Sequence, residues 1–411
     1  MFQSFTIILA LAALLSYINQ RFLKLPTTIG IMILALGLSL PMGILQVVNP
    51  ELFYQACQVV DDLDFRYILM DIMLSFLLFA GGLHIKAKDL LQEKIPVMVF
   101  ATLGVLISTA LVGAFTFLVL QVFSLNVPFS LCLLFGALIS PTDPIAVSAI
   151  LKEFNISKSL ETKIAGESLF NDGVGVVVFI SILQFITMGD DFSWGEVVIL
   201  FAEEAVGGMM FGLALGYLGY RLLKSIEESP KMEVLITIAI ASGGYSLASL
   251  IHVSGPLAMV VAGLFMGSMI RGPEFHHESK IHLDIFWEVL DEILNAVLFV
   301  LIGLEILTIA FDLTYFAAGL VSIILVLLAR FLSVGATYSI LKHKMDHTPS
   351  KTMAIMTWGG LRGGISIALA LSISVSDYRD LVVVITYVVV VFSIIVQGLT
   401  LGKVIKALKI D

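Results

Sequence analysis

From residue 3 to residue 405 this sequence is an almost unbroken series of hydrophobic stretches, most of them about twenty residues long, joined by short polar turns. Backbone N–H and C=O groups in lipid must be satisfied within the chain, so stretches of this length fold as helices. Only 13% of the 411 residues are charged, where a soluble protein has about 25%. Spans are expected near 3–22, 27–48, 66–85, 95–121, 127–151, 162–188, 194–223, 232–252, 255–271, 281–309, 313–342, 351–375 and 380–405. The reading is an all-α membrane protein of about thirteen transmembrane helices. It is one polytopic domain over 1–411, with no soluble domain between the spans. The longest outer loop is expected near 49–65. Met1-Phe2-Gln3-Ser4-Phe5 lacks a basic region, so the first run reads as a helix and not a cleaved leader.

Basic residues set the expected orientation. Nineteen, including Lys24, Lys86, Lys88, Lys158, Arg271, Lys344 and Lys403, fall in one set of loops. Arg66 and Arg379 fall in the other, and Arg330 and Arg362 lie within spans. The lysine-rich side is cytoplasmic by the positive-inside rule, so the N-terminus is expected outside and the C-terminus inside. The outer loops are acidic (Glu51, Asp61, Asp62, Asp64, Asp190, Asp191, Asp312, Asp377, Asp380), as solvated loops often are. The net charge of −9 argues against nucleic acid, and Cys57 and Cys132 form neither a disulfide framework nor a zinc pattern. No cofactor is expected.

Two spans carry breaks. The first is Ser140-Pro141-Thr142-Asp143-Pro144. Proline removes an N–H and clashes with the preceding turn, so Ser140 and Asp143 are expected extended and the span divides into half-helices. Asp143 is suited to cap the second half, with Pro144 at its first position. An ordinary helix start or a re-entrant loop is the alternative. The second break is Gly359-Gly360-Leu361-Arg362-Gly363-Gly364, seven spans later and in the opposite direction. Paired interrupted spans point to an inverted-repeat transporter. Repeats of approximately 1–190 and 230–411 follow, with the two discontinuous helices crossing. Half-helix ends carry partial charges, which Asp143 and Arg362 are placed to offset. Arg362 could instead snorkel to the interface.

Between the breaks runs Gly166-Glu167-Ser168-Leu169-Phe170-Asn171-Asp172. At 100° per residue, Glu167, Ser168, Asn171 and Asp172 fit within an arc of about 140°. Ionisable groups in a span are costly and mark transport paths. Carboxylate, hydroxyl and amide oxygens suit a hard monovalent cation, and a desolvated carboxyl is a natural proton carrier. A structural ion pair is the competing role, more so for Glu167 than for Asp172. Arg330, deep in span eleven, needs an acid, and Glu167 is the candidate; that pairing leaves Asp172 as the titrating group. Asp284, Glu288, Asp291, Glu292 and Asn295 recur at helical spacing in span ten, either lining a cation-attracting funnel or solvating a helix end. Asp71, Glu203, Glu204 and Glu305 lie in spans without an obvious partner. His84, His252, His276, His277 and His282 sit at loop ends, as interfacial residues or pH sensors.

Thr142-Asp143-Pro144, the Gly-Glu-Ser-Leu-Phe-Asn-Asp run, Arg330 and Gly-Gly-Leu-Arg-Gly together resemble the bacterial and archaeal sodium/proton antiporters of cation/proton antiporter family 1, to which animal sodium/hydrogen exchangers belong. The resemblance implies a homodimeric cell-membrane antiporter with a dimer domain and a mobile core domain, serving pH homeostasis. It implies that Asp172 binds sodium and protons alternately, helped by Glu167, Ser168 and the Thr142 backbone, with Asp143, Arg330 and Arg362 in support. Asn171-Asp172, in place of an Asp-Asp pair, implies electroneutral exchange. Span three departs from the pattern: it reads Phe79-Ala80-Gly81-Gly82 where relatives often place an acid before the glycines. The long cytoplasmic tail of the animal exchangers is not expected. The alternatives are exchange of potassium or lithium as well, a cation channel, or cation-coupled solute uptake.

Overall fold

A computed structural model describes residues 2–143, 147, 150, 151, 154, 156–188, 194–226, 229–272, 275, 277–309, 312–342, 349–373 and 378–408. Among these residues the elements are helical throughout. They are α1 (Phe2–Ile18), α2 (Thr27–Val48), α3 (Pro50–Asp61), α4 (Leu74–His84), α5 (Val105–Val122), α6 (Phe129–Ile139), α7 (Lys158–Met188) and α8 (Trp194–Ser225). The second half supplies α9 (Pro230–Leu250), α10 (Gly255–Ile270), α11 (His277–Glu305), α12 (Leu313–Ile340), α13 (Pro349–Trp358), α14 (Gly364–Leu371), α15 (Arg379–Phe392) and α16 (Gly398–Leu408).

Among the described residues, eight helices are long and apolar enough to cross a membrane, and Thr27–Met42, Phe129–Ile139 and Gly255–Ile270 are shorter apolar helices. Two other expected spans are helical but fall outside that set. The first is α11, which carries a ladder of acids; the second is divided between the short α13 and α14. Large apolar side chains such as Leu14, Val122 and Met210 are exposed on the outside of the bundle, where lipid replaces water as the solvent.

One expectation fails at 49–65. This stretch is mostly helix, not loop: Pro50 starts α3 at the first position, where its missing N–H costs nothing, and Asn49 caps it by accepting from Leu52 N at 3.2 Å. Its polar residues form one face of an amphipathic helix.

The helices pack in two groups. Around the breaks lie α5, α6, α7, α12, α14 and α15; α1, α2, α4, α8, α9, α10 and α11 pack mainly on one another. Within the second group α10 is wedged between α4 and α8. Gly212 of α8 allows that closeness, because a Cβ there would press on the Ala258 carbonyl of α10. The buried core runs continuously through both groups. A second apolar cluster, including Phe100, Ile164, Val334, Ile355 and Leu401, lies by the N-terminal end of α7 and the C-terminal end of α12.

Candidate functional site

The two breaks meet. Asp143 N donates to Leu361 O at 2.7 Å, so the irregular backbone after α6 is hydrogen-bonded to the irregular backbone between α13 and α14. Unwound backbone away from water needs such partners. Arg362, 2% exposed, extends back to α6: its Nη1 donates to Ser140 O and, at 3.0 Å, to Pro141 O. A guanidinium therefore closes the carbonyl end of α6. The Asp143 carboxylate lies against the start of α14: a Cβ on Gly363 would come 2.8 Å from Oδ2. Each break thus lends its charge to the other's helix end. Arg362 N, in turn, donates to Ser393 Oγ at 2.9 Å.

Ser140 corrects the sequence reading. It is helical (φ −75°, ψ −34°), not extended. Its hydroxyl donates to Gly136 O at 2.6 Å and bonds Ser108 Oγ at 2.9 Å, which holds the last turn of α6 against the bias from Pro141. The expected helix start at Pro144 lies outside the described residues.

Helix α7 passes directly behind the first break. Gly175 allows this, since a Cβ there would fall onto the Pro141 ring. Thr142 N donates to Asn171 Oδ1 at 3.2 Å, Asn171 Nδ2 donates to Thr142 Oγ1 at 2.9 Å, and Thr142 Oγ1 lies 2.9 Å from Ser168 Oγ. One turn away, Glu167 Oε1 is 2.7 Å from Arg330 Nη1, both side chains being nearly fully buried. At this distance the two charges form a buried ion pair. Arg330 Nε also donates to Met356 O at 3.3 Å, tying α12 to the last turn of α13.

Asp172 is placed differently from its neighbours. It is 8% exposed and lines a cavity of about 760 Å³ that also touches Asp143, Gly363, Gly364 and Ser366. Glu167, Ser168, Asn171 and Thr142 are buried behind it and do not line that cavity. The opposite wall carries Asp284, Glu288, Asp291 and Asn295 of α11. The cavity opens where α4 and α10 end and α7 begins, beside Lys86, Lys158 and Arg271, all on the lysine-rich side. Two of these bases are held: Lys158 pairs with Asp89 at 2.8 Å and Arg271 with Asp284 at 3.4 Å. His84 also lines this end; His276 lies outside the described residues. Among the described residues no three His, Cys, Asp or Glu side chains converge as a metal cluster. The oxygen-only chemistry of this wall fits a weakly held hard cation.

Residues 8–407 match the family model described as "Sodium/hydrogen exchanger, transmembrane". The chain belongs to the sodium/hydrogen exchanger family. It is 44% identical over 402 residues to the Na(+)/H(+) antiporter NhaP of Pseudomonas aeruginosa, covering 97% of this chain and 95% of that protein. It is 36% identical over 353 residues to the Na(+)/H(+) antiporter NhaH of Halobacillus aidingensis, covering 84% of each. The solved structure of the sodium proton antiporter MjNhaP1 from Methanocaldococcus jannaschii at pH 8 has the same fold. Its TM-score is 0.75 at 21% identity, over 98% of this chain and 97% of that one.

In this exchanger, sequence reasoning missed the polar residues that brace the breaks from outside them. Ser108, Thr109 and Ser393 are isolated hydroxyls in apolar helices, with no spacing that tells them from serines bonding their own helix. Of the span-ten residues, Asp284, Glu288, Asp291 and Asn295 face the cavity and Glu292 does not. Positions 284, 288, 291 and 295 follow steps of four and three, and that periodicity was the available signal.

Proposed function

We propose that this chain is an electroneutral sodium/proton antiporter working by alternating access, with Asp172 carrying sodium and protons in turn. The observation that carries this reading is the position of Asp172: a buried carboxylate of α7, about three turns beyond Glu161, that lines the cavity at the crossing of two broken helices. Ser168 and Thr142 supply the neighbouring oxygens, and Asn171 holds the Thr142 backbone in place. Glu167, paired with Arg330, keeps its charge within the protein and supports the site instead of exchanging protons. One carboxyl then changes charge per cycle, so one proton moves against one sodium ion. A bare buried carboxylate is poorly solvated, which disfavours crossing with an empty site and makes exchange obligatory.

The group around the breaks acts as the moving unit, and the chain works as a homodimer in the cell membrane. Inverted repeats of about 1–190 and 230–411 place the two breaks in corresponding positions. With the N-terminus outside and the C-terminus in the cytoplasm, the cavity faces the cytoplasm. The physiological consequence is pH homeostasis.

The test is a proteoliposome dequenching assay with sodium, potassium and lithium, with and without a clamped membrane potential. Sodium-driven proton movement is expected, absent in Asp172→Asn and insensitive to the imposed potential. An active Asp172→Asn protein rules out the site. A potential-driven change in the equilibrium ion distribution rules out one-for-one exchange. Equal rates with potassium or lithium assign the broader selectivity.

A further inference from the structure

The cavity has two polar walls, and Asp172 occupies one of them. On the other, the acids of α11 differ in condition. Asp284 is engaged by Arg271 and Glu288 is exposed near the mouth. Deeper in, Asp291 is half-buried and one turn short of Asn295, which is 3% exposed and still lines the cavity. Asn295 Nδ2 donates to the Asp291 backbone carbonyl at 2.8 Å. A carbonyl only accepts, so this bond fixes the amide: its nitrogen, not its oxygen, faces the Asp291 carbonyl. That Oδ1 is buried and has no hydrogen-bond partner among the described residues. A buried acceptor left unsatisfied is costly, and a cation or its water satisfies it. Asp143 lines the same cavity and is an electrostatic neighbour of both Asp172 and Asp291.

Resting on the exchange reading above, we propose that Asp291 and Asn295 form a second monovalent-cation subsite on the α11 wall. An ion entering from the lysine-rich side is held there by the Asp291 carboxylate and the Asn295 amide oxygen, then passes by Asp143 to Asp172. The subsite keeps a cation available beside Asp172 without taking part in the exchange of charge at Asp172. It therefore acts on apparent sodium affinity, whereas Asp172 decides whether exchange happens at all.

Asp291→Asn and Asn295→Ala are measured in proteoliposomes beside wild type and Glu292→Gln, whose exposed side chain lies off the cavity wall. Each wall variant is expected to raise the sodium KM on the order of tenfold, equivalent to about 1.4 kcal/mol, with the maximal rate retained. Glu292→Gln should match wild type. A second readout avoids transport: sodium added to solubilised Asp172→Asn protein should still raise its melting temperature, and adding Asp291→Asn should abolish that rise. Unchanged KM in both wall variants, beside a wild type that exchanges normally, overturns the subsite and leaves the antiport reading standing. So does an Asp172→Asn protein that sodium does not stabilise. A wild type without sodium/proton exchange overturns the antiport reading, and the subsite with it.

Discussion

Removing either member of the Glu167–Arg330 pair leaves a buried charge alone, and the two removals should not be equal. At about 4 Å between charge centres and an effective dielectric near 20, the attraction is roughly 4 kcal/mol. That agrees with the approximately 3–5 kcal/mol expected when one partner of a buried pair is deleted. The surroundings then break the symmetry. Arg362 feels the charges of both Arg330 and Glu167. In Arg330→Ala, Glu167 still has a guanidinium within electrostatic reach. In Glu167→Ala, two guanidiniums repel each other with no acid between them. Glu167→Ala should therefore sit at the upper end of the range and Arg330→Ala at the lower end. Arg330→Ala also loses the bond to Met356 O, which adds about 1 kcal/mol and narrows the gap. The double variant removes both charges and should lose about as much as one single variant, a coupling of roughly 4 kcal/mol. Thermal and denaturant unfolding of the four solubilised proteins measures this. Additive losses would refute the pairing, and a costlier Arg330→Ala would refute the role given to Arg362.

Competition at Asp172 predicts that apparent sodium affinity weakens about tenfold for each pH unit below the apparent pKa of the site, giving a bell-shaped activity profile; a sodium KM independent of pH in acid contradicts a shared site. Gly175→Ala drives a methyl into the Pro141 ring, so a loss of roughly 1–3 kcal/mol and slowed exchange are expected, and normal behaviour in both refutes the close approach. In a background lacking Cys57 and Cys132, cysteines at Lys88 and Asp62 should be labelled from opposite sides of the membrane, the first from the cytoplasm; labelling from one side only rejects the orientation.

The sequence carried the helical class and the breaks because prolines and clustered glycines act locally, through the backbone of their own span. The need of Arg330 for an acid was legible too, since a lone guanidinium in a span is costly wherever it lies. Which side chains reach the cavity was not legible. The arc from Glu167 to Asp172 describes one helix face, but only its Asp172 edge meets the open space, because α6 and α12 cover the rest. Ser140 shows a similar limit: the proline rule describes a dipeptide, and the bonds to Gly136 and Ser108 override it. The 49–65 stretch was misread because a short amphipathic helix has as many polar residues as a loop.

Arg362 holds the carbonyl end of a helix that belongs to the other broken span. Two strands of a rope spliced at one point cannot slide past each other, and neither can these spans while that splice holds. On the proposed alternating-access reading, any rocking that presents Asp172 to one compartment or the other carries both breaks together. On that reading the two breaks are therefore one working part, and a change in either is felt by the other.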